Sequence, residues 1–317
     1  MKKSTLQLIA FVFLFIFTYK MVQNPFTDEY IQVMKSKDTP HDRLYEEIAQ
    51  KAQKYEIPPQ NAKVDTVWKL TPGYNGLKVD INASYKHMKK SGVFQRNKLV
   101  YTQVPPTVHL NDLKPAPIYR GNPEKPMVSL LINVAWGNEY IPSMLETLKK
   151  QHVKATFFLE GRWVKNNPEM AKMIVDAGHE VGNHSYTHPN MAVLTAAKIK
   201  EQLESTNQII ESTTGQKVKW FAPPSGSYRD EVVNIAATLK LHTIMWSVDT
   251  IDWQKPSPDV LLNRVMGKVH PGAMVLMHPT ESTAGALDRL ITQIKAKGYT
   301  LGNVSTLLNE ERVMKDQ

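Results

Sequence analysis

From residue 127 onward, short apolar runs alternate with longer amphipathic stretches. Because the runs are short, apolar and largely β-branched or aromatic, they predict strands at residues 128–134, 155–159, 180–183, 219–222, 242–248 and 274–277. The stretches between them have helical spacing and predict helices at residues 141–151, 168–177, 196–213 and 286–297. Such repeated units are typical of a parallel sheet covered by helices. The predicted fold class is α/β, and the number of units favours a (β/α) barrel over an open sheet.

The first third of the chain follows a different pattern. Helical spacing predicts a helix at residues 42–55, and alternation predicts strands at 65–70 and 77–81 around a Pro-Gly turn, with a further strand at 99–104. We therefore expect four parts. These are an N-terminal signal segment at residues 1–24, a small α+β domain at 25–104, a proline-rich linker at 105–126 and the barrel at 127–317.

The N-terminus reads as an export signal. Lys2 and Lys3 precede an apolar run at residues 6–19. No small-x-small cleavage site follows, which favours a retained anchor and a single-pass membrane protein with its folded part outside the cytoplasm. A cleaved signal, which would give a secreted protein, and a buried helix of a cytosolic protein remain open alternatives.

Composition narrows the chemistry. The 317 residues include no cysteine, which excludes disulfides, thiolate nucleophiles and cysteine-based zinc sites. The formal net charge of +9 favours anionic surroundings such as wall polymers or membrane headgroups. No nucleic-acid-binding motif accompanies this charge, so nucleic acid is not an expected partner. The sequence does not indicate an oligomeric state.

A pair of histidines provides the first candidate site. His184 and His188 follow the predicted strand at residues 180–183, in a polar loop that Pro189 closes. Two imidazoles at this spacing can offer neutral nitrogen to one Zn²⁺ ion. A catalytic zinc site needs a third protein ligand and an open position for water.

Other polar clusters also follow predicted strands, where a barrel carries its chemistry. They are Pro223-Pro224-Ser225, Asp249 to Trp253, and His278. In this order the segments resemble the NodB-homology polysaccharide deacetylases, or family 4 carbohydrate esterases, and in particular their sporulation-associated subset in bacilli. The resemblance covers about residues 125–310 and is carried mainly by two motifs. These are Lys154-Ala155-Thr156-Phe157-Phe158 and Gly178-His179-Glu180-Val181-Gly182-Asn183-His184-Ser185.

The resemblance implies a distorted (β/α) barrel that removes acetyl groups from N-acetylated glycans. In the family, an aspartate and two histidines hold a divalent metal that activates water, a second aspartate is the base, and a histidine protonates the leaving amine. Carried over to this chain, the metal histidines are His184 and His188 and the acid is His278. Asp252 is the carboxylate that tunes the acid. Pro223, Pro224, Ser225 and Trp253 fall in the groove, where cell-wall glycan is the expected partner.

Two family motifs are degenerate. Where the first reads Thr-Phe-Asp-Asp-Gly, this chain reads Asn133-Val134-Ala135-Trp136-Gly137. Ala135 thus stands at the base position, Trp136 at the metal aspartate, and Ala222 where the third motif has the arginine that partners the base. Alanine cannot accept a proton and tryptophan cannot ligate a metal. We therefore expect no bound metal or only a weakly bound divalent ion, with zinc the candidate, and an indole that fills the space of a metal-bound water.

Two hypotheses follow from this pattern. The chain is either a catalytically impaired relative that binds glycan or a partner in the cell envelope, or an active deacetylase with an unusual ligand set. Glu139 could rescue activity but more simply begins the next helix. His278 and Asp252 could persist as a structural ion pair. Trp253 is more often a core residue than a sugar platform.

Overall fold

The computed structural model describes residues 42–314, which form two compact units. One unit comprises residues 42–56 and 78–102, and the other comprises 57–77 and 103–314. The predicted export signal lies outside the described residues. Within residues 42–314, no helix has both the length and the apolar character needed to cross a bilayer.

The smaller unit packs two helices, α1 (Arg43–Ala52) and α2 (Ile81–Met88). Its core contains Leu44, Ile48 and Met88, all buried. Asp42 caps α1 because its Oδ1 accepts a hydrogen bond from the amide of Leu44 at 3.1 Å. This matches the helix predicted at residues 42–55, whereas α2 was not anticipated.

Along the chain, three short strands lie between α1 and α2, and a fourth follows α2. Strands β1 (Lys63–Asp65) and β2 (Lys69–Thr71) pair antiparallel, and β3 (Gly76–Val79) pairs with β4 (Tyr101–Val104). The single strand predicted at residues 65–70 is wrong because Asp65 starts a turn there. Its Oδ1 accepts hydrogen bonds from the amides of Val67 and Trp68. The strand predicted at 77–81 ends at Val79 because Asp80 caps α2.

The larger unit is built on a curled parallel sheet. Its eight strands run in the order β10-β11-β5-β6-β7-β8-β9, with β12 paired to β5. The strands are β5 (Met127–Val134), β6 (Thr156–Leu159), β7 (Glu180–Asn183), β8 (Trp220–Phe221), β9 (His242–Thr243), β10 (Val248–Asp249), β11 (Met274–Met277) and β12 (Thr300–Gly302). This is the barrel-like parallel architecture expected from the alternating pattern.

Two sequence predictions fail at the same place in this sheet. The strand predicted at residues 242–248 is two strands, β9 and β10, and the proline-rich segment at 105–126 is part of the larger unit rather than a separate linker. Both corrections come from Ile118, which is fully buried. Its amide donates to Thr243 O at 2.9 Å and its carbonyl accepts from the amide of Met245 at 2.8 Å. The chain between β9 and β10 therefore pairs with Ile118.

Helices pack against both faces of the sheet. They are α3 (Ile141–Lys150), α4 (Gly161–Asn166), α5 (Pro168–Asp176), α6 (Ala196–Thr214), α7 (Asp230–Thr238), α8 (Pro258–Met266), α9 (Glu281–Ala296) and α10 (Val304–Leu308). All eight residues of β5 are buried. Val128, Leu130 and Ile132 join the core cluster that contains residues of α3 to α9, while Met127 and Leu131 join a second cluster that contains residues of α10. Burial on both faces explains why this strand is a continuous apolar run.

Candidate functional site

The parallel register gathers the predicted site residues at one edge of the sheet. Val134 pairs with Leu159, and Leu159 pairs with Asn183, so Ala135, Glu160 and His184 are the next residues on three neighbouring strands. Ala222, Asp252 and His278 come directly or shortly after β8, β10 and β11. Strand ends in a parallel sheet meet at one side. The structure therefore brings these sequence-predicted residues to the same edge of the sheet.

His184 and His188 lie side by side, with ring centroids 5.0 Å apart. Burial, with a smaller effect from the charge of His188, lowers the pKa of His184 to about 3, so this imidazole is neutral at physiological pH. Its Nδ1 donates to the carbonyl of Ala222 at 2.8 Å, which leaves the Nε2 lone pair available. Burial also lowers the pKa of His188. The pair retains the protonation state that metal ligands need.

Local backbone geometry fixes this loop. Ser185 and His188 both adopt left-handed conformations, with φ of 62° and 55°. The amide of Ser185 donates to Asn183 Oδ1 at 2.8 Å, and the amide of His188 donates to Ser185 Oγ at 3.1 Å. From α6, Gln202 Oε1 accepts from the amide of Tyr186 at 2.8 Å. These contacts hold two strained residues in place.

Asp252 and His278 form the second pair. The carboxylate of Asp252 is fully buried, and its Oδ1 accepts from His278 Nδ1 at 2.7 Å. Its Oδ2 accepts from the backbone amide of His278 and from Thr283 Oγ1, each at 2.6 Å. The carboxylate therefore has three donors, and the pair joins the ends of β10 and β11 as well as orienting the imidazole.

Trp136 covers the second pair. Its indole lies nearly parallel to the imidazole of His278, with centroids 5.9 Å apart and planes 9° apart, and 48% of the residue is exposed. The next residue, Gly137, has φ of 81°, and a Cβ there would lie 2.0 Å from Pro279 O. Only glycine permits this approach of the two loops. The indole thus stacks on His278, not on His184 or His188 as expected for a ring filling the space of a metal-bound water.

The residues at the metal position do not fit the metal that the fold implies. Ala135 and Trp136 supply no ligand atom beside the two histidines. Across residues 42–314, no group of three or more histidine, aspartate or glutamate side chains is arranged to hold a metal ion. Ala222 is 2% exposed and packs in the same cluster as Leu131. Its small apolar side chain occupies a position where a charged partner would have no counter-ion.

The proline-rich loop and the second exposed tryptophan flank the site. Pro223 and Pro224 are buried, while Ser225 is exposed with a left-handed φ of 53°. Trp253 follows Asp252 in a short 3-10 turn and is 57% exposed. The interpretation of Trp253 as a core residue is therefore wrong, because the turn that buries Asp252 directs the next side chain outward.

Sequence reasoning missed Glu160. This residue follows β6, is only 3% exposed, and its Oε1 accepts from Arg162 Nη2 at 3.2 Å. Burial raises its pKa, and the guanidinium of Arg162 opposes that shift. A buried carboxylate directly after an apolar strand was the available signal. Glu139, by contrast, lies exposed in the 3-10 turn Asn138–Tyr140 that precedes α3, which matches the expectation that it begins the next helix.

Comparisons with known proteins agree with this geometry. The family model "Polysaccharide deacetylase" matches residues 120–244. An uncharacterized Bacillus subtilis protein, YlxY, is 58% identical over 99% of this chain and 100% of its own length. The Bacillus subtilis peptidoglycan-N-acetylmuramic acid deacetylase PdaA is 33% identical over 62% of this chain and 76% of its own.

A solved structure is still more informative. BA3943, a CE4 family pseudoenzyme from Bacillus anthracis, is 64% identical and superposes with a TM-score of 0.82, over 85% of this chain and 96% of that chain. A BA3943 mutant with restored enzymatic activity superposes with the same TM-score at 63% identity, over 85% of this chain and 99% of that one.

Proposed function

Because this chain belongs to the polysaccharide deacetylase family, we propose that it is a catalytically impaired member that binds cell-wall glycan at the carboxyl edge of its sheet. One observation carries the proposal: Trp136 stands where the family has a metal aspartate, and its half-exposed indole lies on the imidazole of His278. The substitution removes a ligand and adds a flat apolar surface to the same groove.

The size of the missing catalytic contributions explains why little activity is expected. A catalytic zinc keeps three protein ligands and one open position, and this site offers two imidazoles. Loss of a positioned general base alone costs roughly 10² to 10⁴ in rate. Ala135 and Trp136 remove the base and the ligand together, so activity near background is expected. The likeness to BA3943, itself a pseudoenzyme, supports this.

Retention of a groove supports binding. Trp136, which stacks on His278, and Trp253, which follows Asp252, expose 48% and 57% of their surfaces. Exposed aromatic surface of this kind marks ligand-binding grooves, because an indole offers a flat apolar face and a polar N–H. PdaA is by its name a peptidoglycan deacetylase, which makes wall glycan the reasonable ligand class.

Location in the cell envelope is part of the proposal. Lys2, Lys3 and the apolar run at residues 6–19 support a membrane anchor with the folded part outside, and the net charge of +9 suits an anionic wall. Retention or cleavage of the signal decides between a membrane-bound and a secreted protein. N-terminal sequencing of the protein recovered from cells distinguishes them.

Three measurements on the purified protein test this function. Metal content is determined by mass spectrometry, acetate release is measured with N-acetylglucosamine oligomers and peptidoglycan, and binding is measured by co-sedimentation with purified peptidoglycan. We expect binding without turnover and without stoichiometric metal. Stoichiometric zinc with acetate release would establish the alternative, an active deacetylase. Absence of sedimentation with any wall glycan would reject the binding role.

A further inference from the structure

A polar cavity lies beside Trp136. It has a volume of about 430 Å³ and is formed by the loop after β5 together with α4 and the start of α5. Its lining includes Ala135, Trp136, Asn138, Glu139, Glu160 and Arg162. None of the site histidines lines it. Trp136 therefore takes part in two features, because it stacks on His278 and also lines this cavity.

The cavity wall is held by hydrogen bonds between separate elements. Asn138 Nδ2 donates to Asn167 Oδ1 at 2.7 Å, and Asn138 Oδ1 accepts from Trp163 Nε1 at 2.6 Å. Asn167 Nδ2 in turn donates to Trp163 O at 2.9 Å. These polar groups satisfy one another, so they shape the cavity rather than await a ligand.

Glu160 is the group that lacks a complete set of partners. Its Oε1 accepts from Arg162, whose side chain is 59% exposed, and the backbone amide of Trp163 also stabilises the carboxylate, but within residues 42–314 no other side chain donates to Glu160. A buried carboxylate accepts up to four hydrogen bonds and is costly when incompletely paired. A ligand that brings a positively charged donor would therefore be stabilised at Glu160.

The net charge of the residues that line the cavity also favours a positively charged ligand. Glu139 and Glu160 contribute two negative charges and Arg162 one positive charge, so the lining is acidic by one charge. The protein as a whole carries +9. An acidic cavity in a basic protein disfavours anionic ligands and favours a cationic one.

We propose that this cavity binds a sugar unit with a free amino group, that is, a de-N-acetylated amino sugar of a glycan. The sugar ring contacts the Trp136 indole, and its ammonium donates to Glu160 with Glu139 nearby. This inference rests on the proposed glycan-binding function and makes it more specific. The protein then recognises glycan from which acetyl groups have already been removed.

The preference has a simple physical origin. An ammonium forms charge-assisted hydrogen bonds to carboxylate, whereas an acetamide is neutral and larger and leaves Glu160 with only Arg162 and the amide of Trp163. One such bond corresponds to roughly tenfold or more in affinity. We therefore expect glucosamine oligomers to bind about tenfold more tightly than N-acetylglucosamine oligomers of the same length.

The test is calorimetric titration of the full-length protein with glucosamine tetramer and with N-acetylglucosamine tetramer, at a pH where the amines are protonated. Glu160→Gln removes the charge with little change of shape and should abolish the preference. Arg162→Gln removes the competing cation and should increase it. Glu169→Gln, on the exposed face of α5 and outside the cavity, is the matched control and should leave it unchanged.

The outcomes separate this inference from the function on which it rests. Equal affinity for both tetramers, or tighter binding of the acetylated one, overturns the amine preference but leaves glycan binding intact. Binding of neither tetramer, together with no binding to peptidoglycan, overturns both. If Glu160→Gln does not fold, the exposed Glu139→Gln replaces it in the test. The proposal is rejected if the preference for the glucosamine tetramer is undiminished in Glu139→Gln and unchanged in Arg162→Gln.

Discussion

The indole of Trp136 lies almost parallel to the imidazole of His278, with ring centroids 5.9 Å apart. The residue at a lost metal-ligand position therefore covers the residue at the acid position. Because the imidazole is tied to buried Asp252, the indole is stacked on a support that cannot easily move. The contact gives a half-exposed aromatic surface beside the acid position.

Replacement of Trp136 tests that surface. We expect Trp136→Ala to weaken binding to peptidoglycan by about tenfold or more, because truncation of an anchoring tryptophan commonly costs at least that much. Trp136→Phe should retain most of the binding. Met173→Ala, at an exposed apolar position on α5, serves as control. Equal binding by all variants in co-sedimentation would show that the indole is not part of the glycan surface.

Restoring the two aspartates tests the reading of the metal position. Ala135→Asp with Trp136→Asp should bind zinc, because His184 and His188 already lie together and would regain a third ligand. Ala135→Asp alone should not, since it supplies the base without the ligand. The measurement is zinc content after dialysis. A mutant of the similar protein BA3943 has restored enzymatic activity. A metal-free double variant would mean that the loop holds residue 136 away from the histidines.

The effect of Ala222→Arg on stability should depend on whether residue 135 is alanine or aspartate. Ala222 is 2% exposed among apolar side chains, so Ala222→Arg alone places an unpaired charge in a packed core and should lower the free energy of unfolding by about 3 kcal/mol or more. In the presence of Ala135→Asp the loss should be smaller, because the charges can pair. A double-mutant cycle by urea denaturation measures the coupling. A coupling energy of zero would contradict the idea that base and arginine were lost together.

Asp252 should matter for stability even without catalysis. Its buried carboxylate accepts three hydrogen bonds from His278 and Thr283. Asp252→Asn would turn an acceptor into a donor and should lower the free energy of unfolding by about 3 kcal/mol. Thr283→Val removes only one donor and should cost less. Thermal and urea unfolding provide the comparison, and a neutral Asp252→Asn would argue against a structural role for the pair.

Buried neutral histidines predict sensitivity to acid. Burial lowers the pKa of His179 from 6.5 to about 4, and that of His184 to about 3. Below pH 6.5 the unfolded chain takes up protons that the folded protein does not, so the free energy of unfolding should fall as the pH decreases from 6.5 towards 4. The slope should be about 1.4 kcal/mol per pH unit for each such histidine.

A variant separates this effect from general acid unfolding. His179 Nδ1 accepts from the amide of Ala155 at 3.1 Å, an acceptor that His179→Asn can replace without titrating. This variant should show a shallower pH dependence between 6.5 and 4. His87→Asn, at an exposed position, should leave the slope unchanged. Identical slopes in all three proteins would contradict the assignment to His179.

The sequence was sufficient for the architecture because its signals are local or periodic. Strand β5 is buried on both faces and therefore appears as a continuous apolar run, and the histidine pair follows a strand whose end can be recognised. The division between β9 and β10 was not predictable, because it depends on Ile118, which is far away in sequence. The assignment of residues 105–126 to a linker failed for the same reason.

Two features of the site could not be predicted from the sequence for a similar reason. The identities of Ala135 and Trp136 are plain from the sequence, but the stacking on His278 depends on the pairing of β5 with β11 and on the close approach at Gly137. Glu160 belongs to no motif, and its cavity exists only because Asn138, Asn167 and Trp163 bond to one another from separate elements. Contacts between distant segments determine both features.

The close approach of Gly137 to Pro279 determines which positions of this loop can be substituted. Any side chain at residue 137 would collide with the backbone oxygen of Pro279. Point substitutions at residues 135 and 136 leave that fit untouched. The two positions that the family fills with aspartate can therefore be exchanged without rebuilding the loop, whereas residue 137 must stay glycine.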